Sequence, residues 1–464
     1  MTVSIDPIKA TEAINRSYLN YLDTTFRLRD EGLRNAFRQE LFKPGRFVKG
    51  PILEATPPFM EDTSLQDLID EGLLAGSFSL LESESLPLKR PLYRHQATAI
   101  RKVIADNRNI VVATGTGSGK TEIFILPILN HLLRQKEESR LDAGVRALLL
   151  YPMNALANDQ LSRLRKLLSN CPEITFGRYT GETEEKHKAA VDLYRKMFNQ
   201  EPLPNEMVSR EQMWERPPHI LLTNYAMLEY LLLRPQDNVF FDGPYAGNWR
   251  FIVLDEVHTY TGAKGIEIAM LLRRLKDRVA NSEPGRLCCI ATSATLGKGE
   301  EDYSGVALFA SRLFGEPFAD KDIISATRRK LAQEERGWGR PDPEVYLKWQ
   351  SIVNRDFADD TILPRLAESG REAGIPVSIL EEAESKCGVK RDISLFLYEV
   401  LKGDLNLIQL QKQLEKEPRY LFEAASEIFP EYASSEDMEA ARLVAALVDL
   451  AVKARPGGDN QALL

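Results

Sequence analysis

Little in this sequence offers a covalent or metal-held scaffold. Among 464 residues there are four cysteines, Cys171, Cys288, Cys289 and Cys387. None forms a CxxC pair, which argues against both a zinc site and a disulfide framework. Cys288 and Cys289 lie in an apolar run where thiols simply pack, so all four are read as reduced and structural. Also missing is any apolar run approaching the ~18 residues needed to cross a bilayer. The start, MTVSIDPIKATEAINRSYLNYLD, lacks the basic segment and apolar core that mark a chain for export. The expectation is a cytoplasmic protein with no membrane partner. An excess of positive charge is absent too: the formal net charge is −8. That excludes a dedicated nucleic-acid coat, because phosphate binding rests on Lys and Arg releasing counterions. Any such binding must be local. The candidate basic clusters are Arg163, Arg165 and Lys166, then Arg273, Arg274, Lys276 and Arg278, then Arg328, Arg329 and Lys330; charge runs of this kind read more readily as solvated helix faces.

What is present describes an ordinary globular chain, 43% hydrophobic and 28% charged, long enough for two or three domains. Residues 1–86 read as a mainly helical N-terminal region and connector. Tyr18, Tyr21, Phe26, Leu33 and Phe37 fall at roughly helical spacing. The stretch FKPGRFVKGPILEATPPF, with four prolines, then breaks the pattern and is expected to lie across the next domain. Over residues 87–325 the texture changes. Apolar runs rich in β-branched residues (NIVVAT, ALLLYP, HILLTNY, FIVLDE, LCCIATSAT) alternate with amphipathic stretches such as LSRLRKLLSN and EIAMLLRRLKD. Continuous apolar strands between helical patterns imply a parallel sheet covered on both faces, a doubly wound α/β domain with its ligand at the carboxyl ends of the strands. Residues 326–464 read as a helical accessory or insertion region. Within it, MEAARLVAALVDLAVKA is preceded by Ser434 and Asp437 in capping-box spacing. No repeat or low-complexity segment occurs.

The strongest local signal is ATGTGSGKTE, residues 113–122, between the strand NIVV and the helical EIFILPILNHLL. Backbone N–H groups of a glycine-rich turn at a helix N-terminus cradle phosphate oxygens. Gly115, Gly117 and Gly119 allow close approach because they carry no Cβ. Thr114, Thr116, Ser118 and Glu122 complete the loop. Lys120 would neutralise the β- and γ-phosphates of ATP, and the Thr121 hydroxyl would ligate Mg²⁺. Thr114 departs from the strict pattern, which has Gly or Ala six positions before the lysine. A chance glycine-rich turn is the bland alternative, and the strand–loop–helix context argues against it. The second signal is FIVLDEVH, residues 251–258. An apolar strand ending in two adjacent acids is costly unless something positive waits at its tip. Mg²⁺ is the natural partner: Asp255 would hold it, Glu256 would polarise the attacking water as general base, and His258 would link the nucleotide site to neighbouring loops.

In this order, ATGTGSGKT, DEVH and SAT resemble motifs I, II and III of the superfamily 2 DEAD/DEAH-box helicases. The resemblance implies a RecA-like lobe binding ATP and Mg²⁺. YRHQATAI is similar to the upstream glutamine motif, so Gln96 would read the adenine edge with Tyr93 packing nearby, and His95 would support the motif. His131, His187 and His219 read as surface or structural. YPMNALANDQ resembles motif Ia, YTGET motif Ib, and LLTNYAMLEY the TN-containing segment before motif II. Pro152, Asn154, Ala155, Thr180, Gly181, Thr223 and Asn224 would then contact the backbone of a single tracking strand, giving no base specificity. Motif III would couple the γ-phosphate site to the strand through Ser293 and Thr295. Standing alone, these two would be read as a Ser/Thr turn capping the next helix. DEVHTYTGAKGIEIAMLLRRL looks like the bacterial mitomycin-repair, RecQ-like and Lhr-like DNA helicases, which favours DNA. FVKGPILEATPPF looks like the N-terminal segment of large helicases of phage-defence systems such as DISARM and Druantia.

One expected part is not found. A motor of this class closes two RecA-like lobes around ATP, and the second lobe brings an arginine onto the transferring phosphate. No QxxGRxxR follows Ser293; QEERGWGRPD, residues 333–342, has the wrong spacing. The expectation is that the second lobe arrives from further sequence in cis or from another chain in trans. Because an arginine finger is worth about 10³–10⁵ in turnover, this chain alone would hydrolyse ATP weakly. The sequence therefore reads as the ATP-binding lobe of a DNA helicase or translocase in repair or phage defence. The alternatives are a non-catalytic nucleotide- or nucleic-acid-binding adaptor and an RNA helicase.

Overall fold

The protein is described by a computed structural model covering all residues except 1–5, 44–46, 48, 116, 295–298, 330–336, 356–360, 389–391, 416, 433–437, 457–462 and 464. The chain divides into two compact units, one of residues 59–328 and one of residues 1–58 together with 329–464.

The first unit is built on eight strands: β1 (Ile110–Ala113), β2 (Ala147–Tyr151), β3 (Phe176–Arg178), β4 (Glu206–Met207), β5 (Ile220–Asn224), β6 (Phe251–Leu254), β7 (Cys288–Ser293) and β8 (Ile323–Ser325). They lie in the order β8-β1-β7-β6-β2-β5-β3-β4, and every pairing is parallel. The five expected strands form the contiguous centre, β1-β7-β6-β2-β5. Their residues are buried on both faces because helices cover both. Register aligns their carboxyl ends, with Ser293 opposite Ala113, Leu254 opposite Leu150, and Tyr151 opposite Asn224. The polar residues that follow these strands therefore gather along one edge.

The helix Lys120–Glu137 is buried along most of its length, from Thr121 through Leu133, and carries Pro127 inside it. The segment just past residue 58 also belongs here. Glu61–Ser64 pairs antiparallel with Pro91–Tyr93, and Ser64 and Asp67 form a capping box opening the helix Leu65–Asp70. The Asn130 side chain accepts from the Ala75 amide at 2.8 Å. The boundary expected at residue 86 thus falls inside this unit, because Leu65, Leu68, Leu74 and Phe78 pack into the same core as the sheet.

The second unit is helical. Its core is made by Glu344–Arg355, Ile362–Glu372, Val377–Cys387, Ile393–Leu401, Leu405–Leu414, Leu421–Ile428 and Glu439–Lys453. The N-terminal helix Pro7–Thr25, capped by Asp6, buries Ile8 in this core. Ile52–Leu53 pairs antiparallel with Arg419–Tyr420. The proline-rich connector was expected to lie across the α/β domain; this part of it is instead a strand of the helical unit, because its backbone finds partners there. The Ser434–Asp437 cap lies outside the described residues, as does Lys330. No helix among the described residues is long and apolar enough to cross a membrane. The four cysteines are free and buried.

Candidate nucleotide site

The glycine-rich turn leaves β1 and ends at the helix Lys120–Glu137, with Gly119 as its N-cap. Gly117 and Gly119 have φ of +76° and +71°, a conformation that disfavours side chains. At Gly119 space also matters: a Cβ there would sit 2.2 Å from the Gln96 side-chain nitrogen. Gly115 has neither constraint, since open space surrounds it and its φ is not positive. The turn is held from behind. Thr114 and Ser118 hydroxyls meet at 2.6 Å, the Thr114 amide donates to the Ser293 carbonyl at 3.0 Å, and His95 Nε2 lies 2.8 Å from the Ser118 carbonyl. Burial holds the His95 pKa below the usual imidazole value, so the ring is neutral and donates here. Gln96 donates to the Gly119 carbonyl at 3.1 Å while accepting from the Tyr93 amide at 2.9 Å. Its amide locks the loop to the preceding helix. Thr116 lies outside the described residues.

Across from the turn, β6 ends in Asp255 and Glu256. Asp255 is buried, and burial raises its pKa above the usual carboxylate value; the Thr292 hydroxyl, which donates to its Oδ1, opposes that shift. Glu256 adopts φ +51°, a left-handed backbone costing about 1–2 kcal/mol for a residue with a Cβ. That turn brings Glu256 Oε1 to 3.0 Å from Lys120 Nζ, with the two side chains 22% and 11% exposed. Lys120 is the residue nearest the glycine turn that could meet phosphate, and it faces the acidic tip. His258 Nδ1 lies 3.1 Å from the Ser293 hydroxyl and 3.3 Å from Glu256 Oε2. Ser293 therefore touches the glycine turn through its backbone and the acidic tip through its side chain. Thr295 lies outside the described residues.

The residues fit a magnesium ion of the kind that keeps most of its ligands from phosphate and water. Mg²⁺ is usually held by one or two carboxylates plus phosphate oxygens rather than by an all-protein cage. Among the described residues no group of three or more His, Cys, Asp or Glu gathers to hold a metal. One buried carboxylate, Asp255, and one hydroxyl, Thr121, match that sparse donor set. Glu122 Oε2 is buried without a hydrogen-bond partner, and Glu256 already carries Lys120 on one oxygen and has the His258 ring beside the other.

Sequence reasoning missed three side chains here. Thr292 donates to Asp255. Gln160 Nε2 and the Arg163 guanidinium donate to the Thr121 hydroxyl at 3.2 and 2.9 Å. Gln160 stood inside the quoted motif and Arg163 in a basic cluster, but nothing in spacing aimed either at Thr121. The other basic clusters are largely structural: Arg165 chelates Glu206, Lys276 pairs with buried Glu316, and Arg278 pairs with Asp242.

The residues expected on the strand-binding face are only partly exposed. Asn154 donates to Glu182 at 3.1 Å and accepts from Asn224 at 2.8 Å, so three loops meet at one polar knot. Ala155 and Gly181 are exposed, and Pro152 is half-buried. Thr180 and Thr223 are fully buried. The Thr223 hydroxyl donates to the Tyr179 carbonyl at 2.6 Å, and the Thr180 amide donates to Thr183. Both side chains are buried and present nothing to a strand, a correction to the expected contacts.

Residues 93–303 match the family described as DEAD/DEAH box helicase. The chain is 29% identical over 416 residues to the Druantia protein DruE of Escherichia coli (strain UMEA 4076-1), covering 70% of this chain and 22% of that protein. It is 31% identical over 243 residues to the uncharacterized ATP-dependent helicase YprA of Bacillus subtilis (strain 168), covering 50% of this chain and 27% of that protein. A crystal structure of the DUF1998 helicase MrfA bound to DNA and AMPPNP aligns with a TM-score of 0.44 at 19% identity, over 87% of this chain and 59% of that one. The chain thus spans about a quarter of the length of these two curated relatives.

Proposed function

We propose that this chain, whose residues 93–303 match the DEAD/DEAH box helicase family, is the ATP-binding lobe of an ATP-dependent DNA helicase or translocase. The observation that carries the reading is the 3.0 Å approach of Lys120 to Glu256, which joins the phosphate-binding turn to an acidic strand tip. In the proposed cycle the triphosphate draws Lys120 away, and Glu256 is left with a free carboxylate oxygen to orient and deprotonate water. Gly115 to Glu122 cradle the phosphates, and Gln96 senses the base edge while staying tied to the turn. Thr121 and Asp255 would hold Mg²⁺, which would supply positive charge against the phosphates. His258 and Ser293 pass the state of Glu256 to the strand face, where Asn154, Asn224, Ala155 and Gly181 meet phosphate and sugar.

A second RecA-like lobe, in cis or in trans, is part of the proposal. Among the described residues one sheet of more than two strands is found, and that sheet carries one phosphate-binding turn. DNA is favoured over RNA by the residues following DEVH, and a role in repair or phage defence by the family resemblance of DEVHTYTGAKGIEIAMLLRRL and FVKGPILEATPPF. The proposal is tested by ATP turnover with single-stranded DNA or RNA, with the second lobe supplied. DNA-stimulated turnover that disappears in Lys120→Ala is the expected result. Nucleotide binding without turnover under any of these conditions would favour a non-catalytic adaptor.

A further inference from the structure

The Thr121 hydroxyl is already occupied. A hydroxyl oxygen has two lone pairs, and both face N–H donors, Gln160 Nε2 at 3.2 Å and an Arg163 guanidinium nitrogen at 2.9 Å. An oxygen so engaged cannot give a lone pair to a cation until one donor withdraws. The two donors differ in freedom. Gln160 is buried, whereas the Arg163 side chain is 48% exposed, and its Nε lies 3.5 Å from Asp159 one helical turn earlier. Arg163 therefore touches Thr121 and Asp159 at once, and Asp159, on the same helix Asn154–Leu168, can keep it if it leaves Thr121. Charge points the same way, since a fixed guanidinium against a divalent ion's ligand is repulsive.

From this geometry we infer that Arg163 is a metal-gating positioning residue: in the metal-free lobe it caps Thr121 while lying against Asp159, and when Mg²⁺ arrives with nucleotide it releases Thr121 and keeps Asp159 as its partner. The inference rests on Thr121 being a metal ligand, as proposed above. Arg163 competes with the metal for one oxygen, and Asp159 sets how readily it yields. The helix that carries both begins at Asn154, whose side chain is bonded to Asn224 and Glu182, so the gate shares an element with the proposed strand face.

The two residues make opposite predictions. The test titrates Mg²⁺ against binding of a fluorescent, non-hydrolysable ATP analogue to the full chain, and reads the Mg²⁺ concentration giving half-maximal binding. Arg163→Ala removes the competitor and lowers that concentration by roughly three- to tenfold, the scale of one net hydrogen bond. Asp159→Ala removes the partner that Arg163 keeps after releasing Thr121 and raises it, by roughly two- to threefold for an exposed pair. Arg163→Lys, which keeps charge and one donor, falls between wild type and Arg163→Ala. Circular dichroism confirms that each variant is folded. Unchanged Mg²⁺ dependence in Arg163→Ala, or shifts of the same sign in the Arg163 and Asp159 variants, would overturn the gate while leaving the ATP site intact. Failure of the wild-type chain to bind the analogue at any Mg²⁺ concentration would remove the ATP reading and the gate with it.

Discussion

The α/β unit and the helical unit treat buried charge in different ways. Among the described residues, the helical unit buries a single charged side chain, Asp404. It is closed off on every side: Tyr346 donates to it at 2.7 Å, and the Asn406 amide at the start of the next helix at 2.8 Å. The α/β unit buries Arg146, Glu206, Asp237, Asp255, Lys276, Glu316 and Asp322. Most of these are closed too, as in the Arg165–Glu206 and Lys276–Glu316 pairs. Asp255 differs in place, at a strand tip beside Glu256 and Lys120 in groupings a ligand can rearrange. The difference teaches where chemistry belongs. Charge buried and fully paired holds a fold together, whereas charge buried at a strand end with exchangeable partners is poised for a ligand.

The largest expected effect separates chemistry from folding inside the α/β unit. With the second lobe supplied, Glu256→Gln should lower ATP turnover by about 10²–10⁴ while nucleotide binding persists, as steady-state hydrolysis and equilibrium binding would show. Loss of binding together with turnover would mean that Glu256 holds the site together rather than activating water.

Next comes a change confined to the helical unit. Trp349 is fully buried and donates to the Leu366 carbonyl and the Ser369 hydroxyl. Trp349→Ala should cost that unit about 3–5 kcal/mol. Chemical denaturation followed with nucleotide binding should show the helical unit unfolding earlier while the ATP site survives. Simultaneous loss of both would show that the units depend on one another for stability.

The comparison sharpens again with pH. Burial raises the Asp404 pKa to about 6, so the folded state holds its proton more tightly than the unfolded chain does. Its contribution is present below the ordinary carboxylate range and is lost as pH rises through about 6. Burial lowers the His219 pKa to about 4, so this ring is neutral in the folded state. Its contribution is present above the usual imidazole value and is lost as pH falls towards 4. Each effect is on the order of 2–3 kcal/mol. Both groups act over the same window, between about pH 4 and 6, with opposite slopes: in thermal unfolding across pH 4 to 8, Asp404→Asn should remove a loss of stability as pH rises through that window, and His219→Asn should remove a gain. Identical pH profiles for the two variants would contradict the assignment. A smaller effect is expected at Gly119, where φ is +71° and a Cβ would meet Gln96. Gly119→Ala should cost about 1–2 kcal/mol, read as weaker nucleotide binding together with a lower melting temperature.

Legibility in the sequence follows the same division. The five central strands announce themselves because a strand buried on both faces must be apolar throughout. Phe176–Arg178, Glu206–Met207 and Ile323–Ser325 do not, since two or three residues carry no period. Lys120, Asp255 and Glu256 could be found because phosphate and metal chemistry fixes residue type and order along the chain. Thr292, Gln160 and Arg163 could not, because their importance comes only from which atoms the topology sets beside Asp255 and Thr121. The helical spacing near Tyr18 reads as a face that wants cover, yet Tyr18, Tyr21, Phe26 and Leu33 stay exposed, and it is Ile8 that the N-terminal helix lends to the core formed after residue 340.

The account stands most directly on one equilibrium. Binding of a fluorescent ATP analogue to the full chain, with and without Mg²⁺, in wild type and Lys120→Ala, measures whether the turn and the acidic tip form one pocket. Saturable, Mg²⁺-strengthened binding that weakens at least roughly tenfold in Lys120→Ala is expected from loss of a charge-assisted contact. Absence of binding in the wild-type chain, or equal binding in the two proteins, would contradict it.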